Sequence, residues 1–122
     1  MSLPKPHRLR RRQDFQKVYQ HGKRHQQVHL TLRSLKQPPS ATENLPATRF
    51  GISVSQKVSK KAVVRNLLKR QVKAALRQLL PQIASGWSLV IGVRPSARGC
   101  EYVEILRELE QLLAAAEVLD GH

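Results

Sequence analysis

Between residues 61 and 80 apolar side chains return every three or four positions, at Val64, Leu68, Val72, Ala75 and Leu79, and Pro81 closes the run. Such a stripe demands a helix with one buried face, and the rest of the chain must supply a wall for it. Over about half of the circumference, at about 100° per residue, stand Lys61, Arg65, Asn66, Lys69, Arg70, Lys73 and Arg77, with no acid among them. Arg65, Lys69, Lys73 and Arg77 form successive i, i+4 like-charge pairs, and each such pair costs an isolated helix roughly 0.2–0.5 kcal/mol. A helix built for solubility would interleave glutamates. An unbroken cationic row makes sense where phosphates supply the missing negative charge, and the Ser55-to-Ser59 turn before it, with Lys57, Lys60 and Lys61, extends that surface.

The wall is legible as strands. Val28, Leu30 and Leu32 alternate with His29, Thr31 and Arg33 over residues 27–35, and Phe50, Ile52 and Val54 alternate with Gly51, Ser53 and Ser55 over 49–55. Trp87, Leu89, Val90, Ile91 and Val93 make a nearly continuous apolar strand over 87–93, as expected when both faces are covered. Two more helices flank these strands. Phe15, Val18 and Tyr19 share one face of a short helix over 12–20, which Gly22 stops; Val103, Leu106, Leu109, Leu112, Leu113 and Ala116 pattern a helix over 101–118. The proline-rich stretch 37–48 reads as a loop. The expected fold is therefore α+β: a two-layer sandwich with three helices on a mostly antiparallel sheet of three or four strands, in the order helix, strands, helix, strand, helix. Its expected organisation is a disordered basic arm over 1–11, a single folded domain over 12–118, and a short tail over 119–122.

Charge narrows the partner. The chain of 122 residues carries a net +14, divided as +19 over residues 1–98 and −5 over residues 99–122. That excess repels itself and attracts a polyanion. With no long apolar run and no apolar segment after the basic start Met1 to Arg12, neither a bilayer span nor a secretory signal is expected, so no membrane partner is expected. A lone cysteine, Cys100, excludes an intrachain disulfide and fits a reducing compartment, here the cytoplasm.

Catalytic groups are sparse. Residues 1–98 hold two carboxylates, Asp14 and Glu43, too few for acid–base or two-metal work. Glu101, Glu104 and Glu108 share a face of the last helix and are expected to solvate it or pair with basic neighbours, not to hold a metal. His7, His21, His25, His29 and His122 form no helical ligand pair, and Cys100 has no evident base. No catalytic and no metal-binding residue is assigned. The function classes left are a structural nucleic-acid-binding protein, such as a ribosomal or RNA-assembly factor, and, least supported, a metal-dependent nuclease.

Residues 51–73, from Gly51-Ile52-Ser53-Val54-Ser55 through Ala62-Val63-Val64-Arg65-Asn66 to Lys69-Arg70, resemble the signature of the bacterial ribonuclease P protein family. Asp14 to Arg24 resembles its N-terminal helix, and Ile91-Gly92-Val93-Arg94-Pro95-Ser96-Ala97 its last strand and the turn beyond, so the likeness covers most of residues 8–112 in order. Two positions depart: Leu67 stands where the family repeats an arginine, and Ser55-Gln56-Lys57 where it has Ser-Lys-Lys. Leu67 falls at the edge of the apolar stripe, so a lost RNA contact with retained packing is expected. The resemblance implies a fold shared with a small-subunit ribosomal protein and a translocating elongation factor, with a left-handed βαβ crossover. It implies an accessory subunit of an endoribonuclease, paired one to one with a large RNA that carries the chemistry with Mg2+ and removes the 5′ leader of precursor tRNA. It assigns Lys57, Lys60, Lys61, Arg65, Asn66, Lys69, Arg70 and Lys73 to the RNA subunit. The single-stranded leader would be met by Arg12, Phe15, Tyr19, Ser53 and Ser55, in a cleft between sheet and first helix. Phe15 and Tyr19 suit that role, since unpaired bases stack on aromatic rings flanked by cations.

Overall fold

The computed structural model of the protein describes residues 8–9, 11–38 and 47–119. Its elements run α1 (Arg12–His21), β1 (Lys23–Gln26), β2 (Leu30–Lys36), β3 (Arg49–Val54), α2 (Ala62–Leu79), β4 (Trp87–Val93) and α3 (Tyr102–Ala115), with short 3-10 turns at Leu80–Gln82 and Pro95–Ala97. The strands lie in the order β1-β2-β4-β3. The β1–β2 and β2–β4 pairings are antiparallel, while β3 and β4, joined through α2, run parallel with Ile52 opposite Ile91. The α+β class, the three helices and their order agree with the sequence reading, and the sheet is mixed.

β4 is apolar throughout because both its faces are used. Leu89, Ile91 and Val93 join Leu30 and Leu32 of β2 and Phe50 of β3 in the main core, against Leu68, Val72, Ala75, Leu76 and Leu79 of α2 and Ile105, Leu109, Leu112 and Leu113 of α3. Val90 points the other way, into a smaller cluster with Leu9 and Val18 that Phe15 and Leu35 adjoin. Sheet, α2 and α3 thus make the two expected layers, and α1 adds cover on the sheet's opposite face. α3 ends in a left-handed cap: Glu117 has φ 60, its N–H reaches Ala114 O, and Val118 N–H reaches Leu113 O.

Several local expectations change. β2 begins at Leu30 and not at residue 27, because Gln27 N–H bonds to Leu30 O and closes the β1–β2 hairpin; Val28, expected to face the core, is 62% exposed in that turn. The strand Lys23–Gln26 was not expected from Lys-Arg-His-Gln, which has no apolar alternation; a charged edge strand needs none. The expected free arm does not extend over Arg8 and Leu9: Arg8 bridges Phe50, Leu9 N–H bonds to Phe50 O, and Leu9 is buried. The arm's residues 1–7 and 10 lie outside the described residues. At the other end Leu119, placed in the tail by sequence, is buried and bridges Ile83. Residues 39–46 of the expected loop and 120–122 of the tail lie outside the described residues.

Candidate nucleic-acid interface

α2 is held by its apolar stripe, so its cations have nowhere to go but outward. Lys57, Lys60, Lys61, Asn66 and Arg70 are exposed, and Arg65, Lys69 and Lys73 are half-buried along the stripe's border. Among the described residues none of these cations has a carboxylate within salt-bridge reach; the two close contacts of a basic side chain with a carboxylate found there both belong to His29. The turn into α2 is pinned by buried Val58, whose N–H bonds to Ser55 O. Ser59 Oγ accepts from the Lys61 N–H, and Arg65 donates from Nη1 to Ser59 O at 2.8 Å. That bond orients the Arg65 guanidinium along the turn. The first turn of α2 carries no acid and no side-chain cap, so its N–H groups and positive dipole end add to the cationic field. Leu67 is 53% exposed, not packed at the stripe's edge as expected: it lies about 100° from core residue Leu68 and points off the core.

On the opposite sheet face, small residues make room for α1. β3 presents Gly51 and Ser53 there, and Ser53 pairs with Gly92 of β4. Phe15 of α1 lies over Gly51 so closely that a methyl group on Gly51 would overlap the ring. Lys69 and Lys73 come around the edge of β3 to meet it. With Arg8, Phe15 and Gly51 they line one cavity of about 260 Å³, floored by Leu9, Phe50 and Ile52. The edge position of β3 makes this possible, since no further strand separates α2 from α1 there. Tyr19, one turn along α1 and 42% exposed, instead faces β2, where the Arg33 guanidinium stacks 4.9 Å from its ring centroid. Arg12 is exposed at the start of α1, and Ser55 is exposed beyond the end of β3.

Phe15 is therefore brought together with two lysines assigned by sequence to the other group, while Arg12, Tyr19, Ser53 and Ser55 do not line that cavity. Arg8, Gly51 and Arg33 were missed. Gly51 carried a signal, because a glycine inside a strand marks a close approach of another group. Arg33 carried a weaker one, as a cation on the polar side of an alternating strand.

The acidic face of α3 differs more from expectation. Glu108 does not solvate the helix: it is buried, and its Oε1 accepts the backbone N–H groups of His29 at 2.8 Å and Leu30 at 3.2 Å. Glu104 Oε2 lies 3.3 Å from His29 Nε2, and the Cys100 thiol donates to Glu104 Oε2 at 3.6 Å. Burial first, and then the negative charge of Glu104 beside it, pushes the Cys100 thiol up to about 11.

Comparison with known proteins gives one family. Residues 3–117 match the family model described as Ribonuclease P. The ribonuclease P protein component of Microcystis aeruginosa is 56% identical over 122 residues, covering 100% of both chains. The one from a Cyanothece species is 52% identical over 130 residues, covering 98% of this chain and 99% of that protein. Among solved structures, the Staphylococcus aureus RNase P protein is similar with a TM-score of 0.80 at 26% identity, covering 95% of this chain and 100% of that one. The RNase P protein from Thermotoga maritima gives 0.76 at 28% identity, covering 88% and 96%.

Proposed function

Because the chain belongs to the ribonuclease P protein family, it is a subunit of an RNA–protein endoribonuclease whose RNA carries the catalysis, and we propose that it holds two RNAs against each other on two joined surfaces. The first surface is the cationic side of α2 and its entering turn, Lys57, Lys60, Lys61, Arg65, Asn66, Lys69, Arg70 and Lys73, which takes the phosphates of the RNA subunit. The second is the cleft under α1, where Phe15, Ser53 and Gly51 receive the unpaired 5′ leader of precursor tRNA, with Tyr19, Arg12 and Ser55 along its rim. The observation that carries this reading is the cavity in which Lys69 and Lys73 meet Phe15 and Gly51. It places fixed cations beside an aromatic ring, the combination that single-stranded RNA uses.

The catalytic contribution is electrostatic. Two RNA segments brought together repel, and uncompensated side-chain cations lower the demand for metal ions to bridge them. Mg2+ is assigned to the RNA subunit. The donor cluster of His29, Cys100 and Glu104 does not suit it, since magnesium takes oxygen ligands and this set offers nitrogen and sulfur. Binding is one protein to one RNA subunit, in the cytoplasm; among the described residues no helix is long and apolar enough to cross a membrane.

Reconstitution with the catalytic RNA of the same organism at low Mg2+ tests the reading. The protein should restore leader cleavage, and Tyr19→Ala should raise the KM for leader-bearing substrate while sparing affinity for the RNA subunit. No gain in cleavage, with co-sedimentation on ribosomes instead, would overturn it.

A further inference from the structure

His29, Cys100, Glu104 and Glu108 converge from three places in the fold: the turn into β2, the turn after β4, and the first half of α3. The RNA-binding reading uses none of them. Ligand atoms of His29, Cys100 and Glu104 all lie within 4.8 Å of one another. His29 Nε2 is 3.3 Å from Glu104 Oε2 and 3.7 Å from Glu108 Oε2, and Cys100 Sγ is 3.6 Å from Glu104 Oε2. Bonds of about 2.0–2.3 Å to a tetrahedral Zn2+ hold neighbouring ligand atoms roughly 3.3–3.8 Å apart. The His29–Glu104, His29–Glu108 and Cys100–Glu104 separations fit that figure, and His29 and Cys100 lie within 4.8 Å of each other.

The tautomer points the same way. Ser96 Oγ donates its one proton to Val28 O at 2.7 Å, so toward His29 Nδ1, 3.1 Å away, it can only accept. Nδ1 of His29 therefore carries a proton, and Nε2 is the atom facing the two carboxylates. A neutral imidazole would aim its lone pair at two negative oxygens. A cation there removes that conflict, either a proton on Nε2 or a metal ion, and an imidazole whose far nitrogen donates to a fixed acceptor is oriented as a metal ligand. Glu108 is positioned as well, because the backbone N–H groups of His29 and Leu30 occupy Oε1 and leave Oε2 for the cluster. A cavity of about 340 Å³, lined by His29, Glu104 and Glu108 together with Arg107, opens the site to solvent.

We propose that His29 Nε2, Cys100 Sγ, Glu104 and Glu108 form a binding site for a borderline-soft divalent cation, Zn2+, that ties α3 to the end of the sheet. Binding displaces the thiol proton to solvent, the thiolate and carboxylates supply negative charge, and no redox change occurs. Sulfur and imidazole in the set select Zn2+ over Mg2+.

The test uses the metal-free full-length protein without RNA. Titration with Co2+ as a spectroscopic stand-in should saturate at one equivalent, with a thiolate-to-cobalt charge-transfer band in the near ultraviolet. Cys100→Ser and His29→Ala should each abolish the band. Zn2+ at a hundredfold excess over its dissociation constant should raise the Tm by on the order of 10 °C, and Cys100→Ser should remove most of that rise. Should His29→Ala fail to fold, Glu104→Gln, at the more exposed carboxylate, replaces it with the same expectation. Absence of saturable uptake at about 100 µM, a concentration that fills any site of micromolar affinity, would overturn the proposal. So would uptake unchanged in the Cys100 and His29 variants, which would put the ion on other histidines.

Discussion

Lys69 and Arg70 are neighbours in sequence but belong to different surroundings, and that difference can be measured. Lys69 lines the cavity with Phe15 and Gly51, whereas Arg70 lines separate hollows with Ala74, Arg77 and Gln78 and with Val63, Asn66 and Leu67. Removing one phosphate contact lowers the slope of log K against log salt by about 0.9 for a duplex and about 0.7 for a single strand, which at about 0.15 M salt is roughly a fivefold loss of affinity. Lys69→Ala and Arg70→Ala should therefore weaken binding to the RNA subunit about equally, each by roughly fivefold and nearly one unit of slope. They should part in the second assay. With substrates carrying or lacking a 5′ leader, Lys69→Ala should raise the KM of the leader-bearing substrate selectively by a few fold, and Arg70→Ala should leave the ratio unchanged. Filter binding across a salt series and steady-state cleavage by the reconstituted holoenzyme supply the two readouts. Identical leader ratios for the two variants would refute the assignment of Lys69 to both surfaces, and a slope unmoved by either would remove the cationic face of α2 from RNA binding.

Three further outcomes are expected. Gly51→Ala should destabilise the protein by about 1–3 kcal/mol in urea unfolding, the usual cost of overpacking, because the new methyl meets the Phe15 ring; combined with Phe15→Ala the penalty should shrink, and strict additivity would show that the two do not touch. Glu108→Ala strands the amides of His29 and Leu30 and should cost about 2–4 kcal/mol, while Glu108→Gln, which keeps a carbonyl acceptor, should cost clearly less; equal losses would mean the carboxylate charge, not the two hydrogen bonds, matters. The Cys100 thiol, pushed up to about 11, should alkylate slowly in metal-free protein. At about pH 8 its thiolate fraction is roughly 90-fold below that of an unshifted thiol, and its greater basicity returns about eightfold, so the rate should be about tenfold low and climb until the pH passes the shifted value. The same shift makes the folded state the better proton binder, so this group's stabilising contribution is present below the ordinary thiol value and is lost as the pH rises toward 11. A rate already level by pH 9 would contradict it.

What could be read from the residues alone follows from where each element finds its partner. α2 and β4 were legible because their burial is written into their own periods: Leu68, Val72, Ala75 and Leu79 on one stripe, and an unbroken apolar run where two faces are covered. Glu108 was hidden for a different reason. It stands three residues after Ile105 and next to Leu109, in phase with the core of α3, but its charge grouped it with Glu101 and Glu104. The periodicity was the better guide, and a buried carboxylate must then find donors, which two backbone amides supply. β1 escaped notice because an edge strand of Lys23, Arg24, His25 and Gln26 borrows its order from β2 through backbone pairing that no side-chain pattern records. The meeting of Lys69 and Lys73 with Phe15 lies further beyond local reading. It depends on β3 forming the sheet edge, since another strand beside β3 would keep α2 and α1 on separate faces. Strand order is set by the whole core, so residue types can propose a cationic helix and an aromatic platform, but only the topology joins them.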